Sequence, residues 1–147
     1  MSSYSILCEI NSCRSKLSSL YLDLKYAKED LENINTKKRK FSKVLESVDE
    51  SIINQKGKLN NLMNYNSQLI FVQKCVNRNT YILDNEVKSN INYQASEIHS
   101  RINSAEISIN NKIEELTRQI SYYENRLSSL QYEYQRAIEE ERRSCQD

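Results

Sequence analysis

Apolar residues recur along this chain at alternating steps of three and four. From Ile6 the ladder runs through Ile10, Cys13, Leu17, Leu20, Leu24, Ala27, Leu31, Ile34, Lys38, Phe41, Leu45, Val48, Ile52, Gln55, Leu59, Leu62, Asn66, Leu69, Gln73 and Val76, and 17 of these 21 positions are apolar. The intervening residues are mostly Ser, Asn, Lys, Asp and Glu. A mean step of about 3.5 belongs to an α-helix that supercoils gently along a neighbour. A second ladder follows: Leu83, Val87, Ile91, Ala95, Ile98, Ile102, Ala105, Ile109, Ile113, Leu116, Ile120, Tyr123, Leu127, Leu130, Tyr134 and Ala137. Its paired four-residue steps, at 87–91–95 and 105–109–113, relax the supercoil toward a straight helix.

Between the ladders, Asn77 and Asn79 tolerate left-handed geometry, and Asn79 or Thr80 can cap a helix that begins at Tyr81. This predicts a turn at about 76–80. Gly57, Asn60, Asn61, Asn64 and Asn66 dilute helix propensity in a rival break. The ladder continues through that stretch, which therefore reads as a bend. The expected fold is all-α: one long antiparallel two-helix hairpin, coiled-coil-like. A single domain, 1–147, would hold a helix over about 4–75 and another over about 81–145, in a rod on the order of 100 Å long.

Composition narrows the function classes. One Gly, no Pro and no Trp among 147 residues leave too few turn formers for a sandwich, a barrel or an α/β fold. With Gly57 alone, neither glycine-rich phosphate-binding motif can be written. Net charge is +1, with 11 basic and 8 acidic side chains in residues 1–73 and 10 and 12 in residues 74–147, so no basic excess points to nucleic acid. The longest apolar runs, 69–72 and 81–83, are far short of the ~20 residues of a membrane span. No charged start followed by an apolar stretch opens the chain, which predicts a cytoplasmic protein without a cleaved secretory signal.

Apolar residues also stand off the ladders: Leu7, Tyr21, Leu22, Val44, Ile53, Met63, Ile70, Ile107, Tyr122 and Ile138. They widen the stripe beyond that of an isolated coiled coil. Such a stripe either thickens the intramolecular seam or receives a helix from a partner or a second copy. The partner surface is expected at Leu22, Val44, Ile53, Ile107 and Ile138, and the isolated chain is expected to be marginal or self-associating.

Candidate chemistry is sparse. Cys8, Cys13, Cys75 and Cys145 make no CxxC pair, and His99 has no cysteine near it in sequence, so no metal site is expected. A hairpin would bring Cys145 level with Cys8 or Cys13, where a disulfide would form only in an oxidising compartment. His99, one residue after ladder Ile98, is expected on the polar flank. No base–nucleophile pair or concave pocket can be proposed, so no catalytic residue, cofactor or enzymatic activity is expected. The run Lys37-Lys38-Arg39-Lys40-Phe41-Ser42-Lys43 spreads over every helix face and reads as solvated surface, with Lys38 itself on the seam.

The opening Tyr4-Ser5-Ile6-Leu7 to Leu24, the Lys/Glu-rich continuation, and Ile109-Asn110-Asn111-Lys112-Ile113-Glu114-Glu115-Leu116 with the regular leucines after it resemble the YwqH-like family. These are small helical-hairpin proteins found beside LXG toxins of the Gram-positive type VII secretion system and shaped like WXG hairpins. Unlike WXG hairpins the chain has no Trp, and Tyr132 and Tyr134 are followed at the fourth position by Arg136 and Ile138 instead of an acid. The resemblance therefore implies an accessory, chaperone-like role: binding the helical N-terminal LXG domain of a cognate toxin, in company with a second small helical accessory protein, and presenting it for signal-peptide-independent export. The alternative is a self-associating coiled-coil scaffold or spacer with no secretion role.

Overall fold

The computed structural model describes residues 2–65 and 68–144. Helix α1 spans Ser3–Tyr65, α2 Ile70–Tyr81 and α3 Lys88–Ser144, and a π-helical turn, Ile82–Val87, joins α2 to α3. No strand occurs among the described residues, and the fold is the all-α helical hairpin that the two ladders predict. The chain forms two compact units, one of Met1–Glu32 with Ile107–Asp147 and the other of Asn33–Glu106.

In the first unit the ladders meet as a continuous apolar seam. Leu17, Leu20, Ala27, Leu116 and Ile120 are buried together, with Leu24, Ile113, Tyr123 and Leu127 packed against them. A second cluster holds Ile6, Ile10, Cys13 and Leu130, flanked by Tyr134 and Ala137. Every one of these residues is a ladder position, and burying each leucine or isoleucine contributes about 1.5–3 kcal/mol. Polar contacts line the edges of the seam and fix the antiparallel sense. Glu141 faces Ser3, Arg126 donates to Glu9 at 3.0 Å, and the Tyr21 hydroxyl donates to Glu124. Ser2 caps α1 by accepting the Ser5 N–H at 3.3 Å, leaving the Ser3 N–H free to donate to Glu141 Oε1 at 2.9 Å. A carboxylate beside the positive end of α1 is electrostatically favoured.

The second unit has a thinner apolar seam, in which Ile52 and Val76 are the buried members among the described residues. Charged and mixed pairs fill other levels of this unit. Lys38 meets Glu106, Phe41 meets His99, and Lys56 meets Asp84.

The reversal does not fall at 76–80, which lies wholly inside α2. Val76 is buried, and Asn79 Nδ2 donates to the Cys75 carbonyl four residues back, so this stretch is satisfied as helix. No non-glycine residue among those described takes a positive φ, so neither Asn77 nor Asn79 uses the left-handed geometry open to it. The chain leaves α1 after Tyr65 and re-enters helix at Ile70 through Leu69, whose φ of −90° and ψ of 102° are extended. Helix α1 therefore ends ten residues before the expected 75, and α2 begins eleven before the expected 81. Gly57 is helical, and the rival break around it holds no reversal before Tyr65. Asn66, a ladder position, lies outside the described residues.

The seam also drifts. Gln55 and Leu62 face outward while Lys56 and Met63 are half-buried, and on α3 the inward positions are His99 and Glu106 where Ile98 and Ala105 were expected. A helix of 3.6 residues per turn slips by about 20° per heptad against a strict 3.5 repeat, and a four-residue step absorbs the slip.

Candidate functional site

The five expected interface residues differ in exposure. Leu22, Val44, Ile53 and Ile107 are exposed, whereas Ile138 is half-buried. Ile138 adjoins Ala137 and stands one turn after Tyr134, both of which pack against the Ile6–Leu130 cluster, so part of its side chain is covered. Leu22, Ile107 and Ile138 belong to the first unit, and Val44 and Ile53 to the second. Nine residues separate Val44 from Ile53, which is two and a half helical turns, so these two leave α1 on opposite sides. They do not share a stripe.

The second unit carries polar side chains on its seam, of which the ladders anticipated Lys38 but not its partner Glu106, nor Lys56 and His99. Lys38 Nζ lies 2.8 Å from Glu106 Oε2. Lys56 Nζ donates to both Asp84 oxygens, at 2.8 and 2.9 Å, and Asp84 stands in the π-helical turn. The His99 ring meets Phe41 edge-on, with centroids 5.1 Å apart and planes at 74°. His99 is thus half-buried on a seam level and not on the polar flank, because the extra four-residue step from Ala95 turns it inward. One signal for this pairing was present: a lysine on the seam of one helix calls for a carboxylate on the other, and an antiparallel hairpin sets Glu106 opposite Lys38. The rest of the basic run, Lys37, Arg39, Lys40 and Lys43, is exposed, as a solvated face should be.

Two titratable groups in the first unit depart from their ordinary values. The hydrogen bond to Glu124, aided by desolvation and by the carboxylate's charge, raises the Tyr21 phenol. The Ser3 N–H and then the Ser3 hydroxyl hold the Glu141 carboxyl below its ordinary value. Both sites are solvent-facing hydrogen bonds that tie α1 to α3. Cys13 is buried in the seam, Cys8 is exposed and Cys75 half-buried, all as free thiols. The disulfide that an oxidising compartment would allow between Cys145 and Cys8 or Cys13 involves a residue outside those described. Among the described residues no three His, Cys, Asp or Glu side chains converge as a metal site would require, and no helix is long and apolar enough to cross a membrane.

The largest exposed apolar grouping in sequence flanks the reversal. Tyr65, Leu69, Ile70 and Phe71 are all exposed, although Leu69 is a ladder position and was expected on the seam. The ladder failed here because residues just past a reversal keep their spacing while losing the neighbour that would cover them. Comparisons with known proteins place no relative beside this chain: no family model, no curated protein and no solved structure matches it.

Proposed function

We propose that the protein is a non-enzymatic binding protein for a helical partner. The observation that carries this reading is the imbalance of its apolar side chains. Among the described residues 18 large hydrophobic side chains are exposed, against 11 hydrophobic residues in the core. A two-helix pairing offers one seam, and long helices draw most of their stability from covering an apolar face. Exposed apolar side chains in this number support a partner that covers some of them.

The partner's identity in this proposal comes from the resemblance to the YwqH-like family. The chain binds the helical N-terminal LXG domain of a cognate type VII toxin, keeps it soluble in the cytoplasm and presents it for export. The test is co-expression of the tagged chain with its neighbouring open reading frames, followed by affinity capture. Capture of an LXG protein that survives high salt is expected, because the contacts are apolar. Polar substitutions at Ile53 and Ile107 should weaken capture while leaving helix content unchanged. A chain that captures no neighbouring product and instead forms its own oligomers would establish the scaffold in place of the accessory protein.

A further inference from the structure

We propose that the residues flanking the reversal form a docking site for an anionic lipid surface, independently of any helical partner. Tyr65, Leu69, Ile70 and Phe71 lie within seven residues of one another and are 89%, 55%, 68% and 77% exposed. They are the apolar part of the site. The charge around them is of one sign. From Ser51 to Leu83 the chain carries Lys56, Lys58, Lys74 and Arg78 and no Asp or Glu. Lys56 is taken by Asp84, but Lys58, Lys74 and Arg78 are exposed and pair with no carboxylate among the described residues. Lys74 stands one turn beyond Ile70 and Phe71, and Arg78 two turns beyond. Aromatic and aliphatic groups at the end of a hairpin, with cations one and two turns behind, match a bilayer interface in which apolar side chains enter the acyl boundary and lysines meet the headgroups.

The local sequence breaks a helix rule at the same place. Leu69 occupies the N-cap of α2 and supplies no capping hydrogen bond, where Ser, Asn or Asp would accept one. An apolar residue at a cap position is a local cost that a second role for that side chain explains. A helical protein partner is the competing occupant. It would call for apolar residues at steps of three and four along one face, whereas Leu69, Ile70 and Phe71 are consecutive and splay over most of a turn. A fluid lipid interface accepts such a splay, and the uniform basic charge selects an anionic one.

The chain contains no Trp, so a single Phe71→Trp variant of the full-length protein is a clean reporter. On adding phosphatidylcholine vesicles that contain phosphatidylglycerol, its emission should shift to the blue, while pure phosphatidylcholine should give little shift. Tyr122→Trp, an exposed site in the first unit, should not respond. In vesicle flotation, Ile70→Ser with Phe71→Ser should weaken binding by more than about tenfold. Replacing Lys58, Lys74 and Arg78 together by Gln should weaken it by about a hundredfold. Circular dichroism of each variant must retain the helix content of the parent, and the Phe71→Trp signal remains informative if the multiple variants lose it. Absence of any shift with anionic vesicles would overturn the proposal. So would vesicle binding indifferent to both sets of substitutions, or a Phe71→Trp shift produced only by a helical protein.

Discussion

Lys38 Nζ stands 2.8 Å from Glu106 Oε2, so a charged pair occupies a seam level where the ladder around it is apolar. The Lys38 side chain is 42% exposed and that of Glu106 28%, and solvent screening limits such a pair to about 0–1 kcal/mol. Glu106→Gln should therefore lower stability by no more than about 1 kcal/mol. Replacing both residues by Leu should raise it by about 1–2 kcal/mol, since an apolar layer avoids desolvating two charges. The same double variant should lose specificity, showing more than one oligomeric mass in light scattering. Urea titrations of Lys38→Leu, Glu106→Leu and the double supply the cycle, and a double variant less stable than both singles would mean that the pair holds the seam by charge.

Burial separates side chains that the ladder alone treats alike. Leu130 is fully buried, whereas Ile53 is 67% exposed. Leu130→Ala should cost about 2–5 kcal/mol through lost transfer energy and the cavity left behind. Ile53→Ala should stay within about 0.5 kcal/mol of the parent. Urea midpoints measure both, and equal shifts would show that the seam is not the source of stability.

Gly57 lies within α1, its φ is not positive, and a Cβ built there meets nothing within 4 Å. Gly57→Ala should accordingly stabilise the chain by about 0.5–1 kcal/mol, because the unfolded chain loses freedom and the helix gains a better former. A lower melting temperature for this variant would contradict the uninterrupted helix.

The sequence made the first unit almost fully legible, since Ile6, Ile10, Leu17, Leu20, Leu116, Ile120 and Leu130 are ladder positions and all are buried. Packing period and burial coincide there. Around the reversal they part. Leu69, the N-cap of the next helix, and Gln73 and Val76 within it continue the spacing of α1, so periodicity was blind to the break after Tyr65. Asn77 and Asn79 carried a turn signal that the helix absorbed, Asn79 by bonding back to Cys75. The inward placement of His99, expected on the polar flank, and of Glu106 was illegible for a different reason. A one-residue drift of the seam carries polar residues inward, and only the partner on the other helix reveals which ones.

The two perturbed groups of the first unit act on opposite sides of neutrality. Glu141 has a lower pKa when folded than when unfolded, so its contribution is present above the ordinary glutamate range and is lost as pH falls through the folded value. Tyr21 has a raised folded value, so its contribution is present below the ordinary tyrosine range and is lost as pH rises through the folded value. Urea midpoints measured across pH should fall at both extremes. Glu141→Gln should flatten the acid limb and leave the alkaline one, and Tyr21→Phe should do the reverse. A variant that lowers stability equally at every pH would show that the hydrogen bonds matter but the ionisations do not.

The π-helical turn is a weak place within the helical run from Ile70 to Ser144. Its hydrogen bonds reach five residues back, as the Lys88 N–H does to the Leu83 carbonyl, and the Ile82 N–H is divided between the Arg78 and Asn79 carbonyls. None of its residues is buried, and Asn85 Nδ2 donates to the Tyr81 carbonyl, which takes up an acceptor that a regular helix would bond through its backbone. Poor bond geometry and little apolar cover both lower the free energy of local opening. Backbone amides at 82–88 should therefore exchange with solvent about ten times faster, or more, than those at 113–130, where Leu116, Ile120 and Leu130 are buried. Such turns accommodate one extra residue, so deleting Asn85 should restore α-helical bonding and slow exchange there. The Lys56–Asp84 pair works against this difference, because it ties the turn to α1 through two short hydrogen bonds. Asp84→Asn should release that tie and speed exchange at 82–88 further, with no change at 113–130. Uniform protection across both stretches would mean that the ion pair outweighs the defect in the backbone bonding.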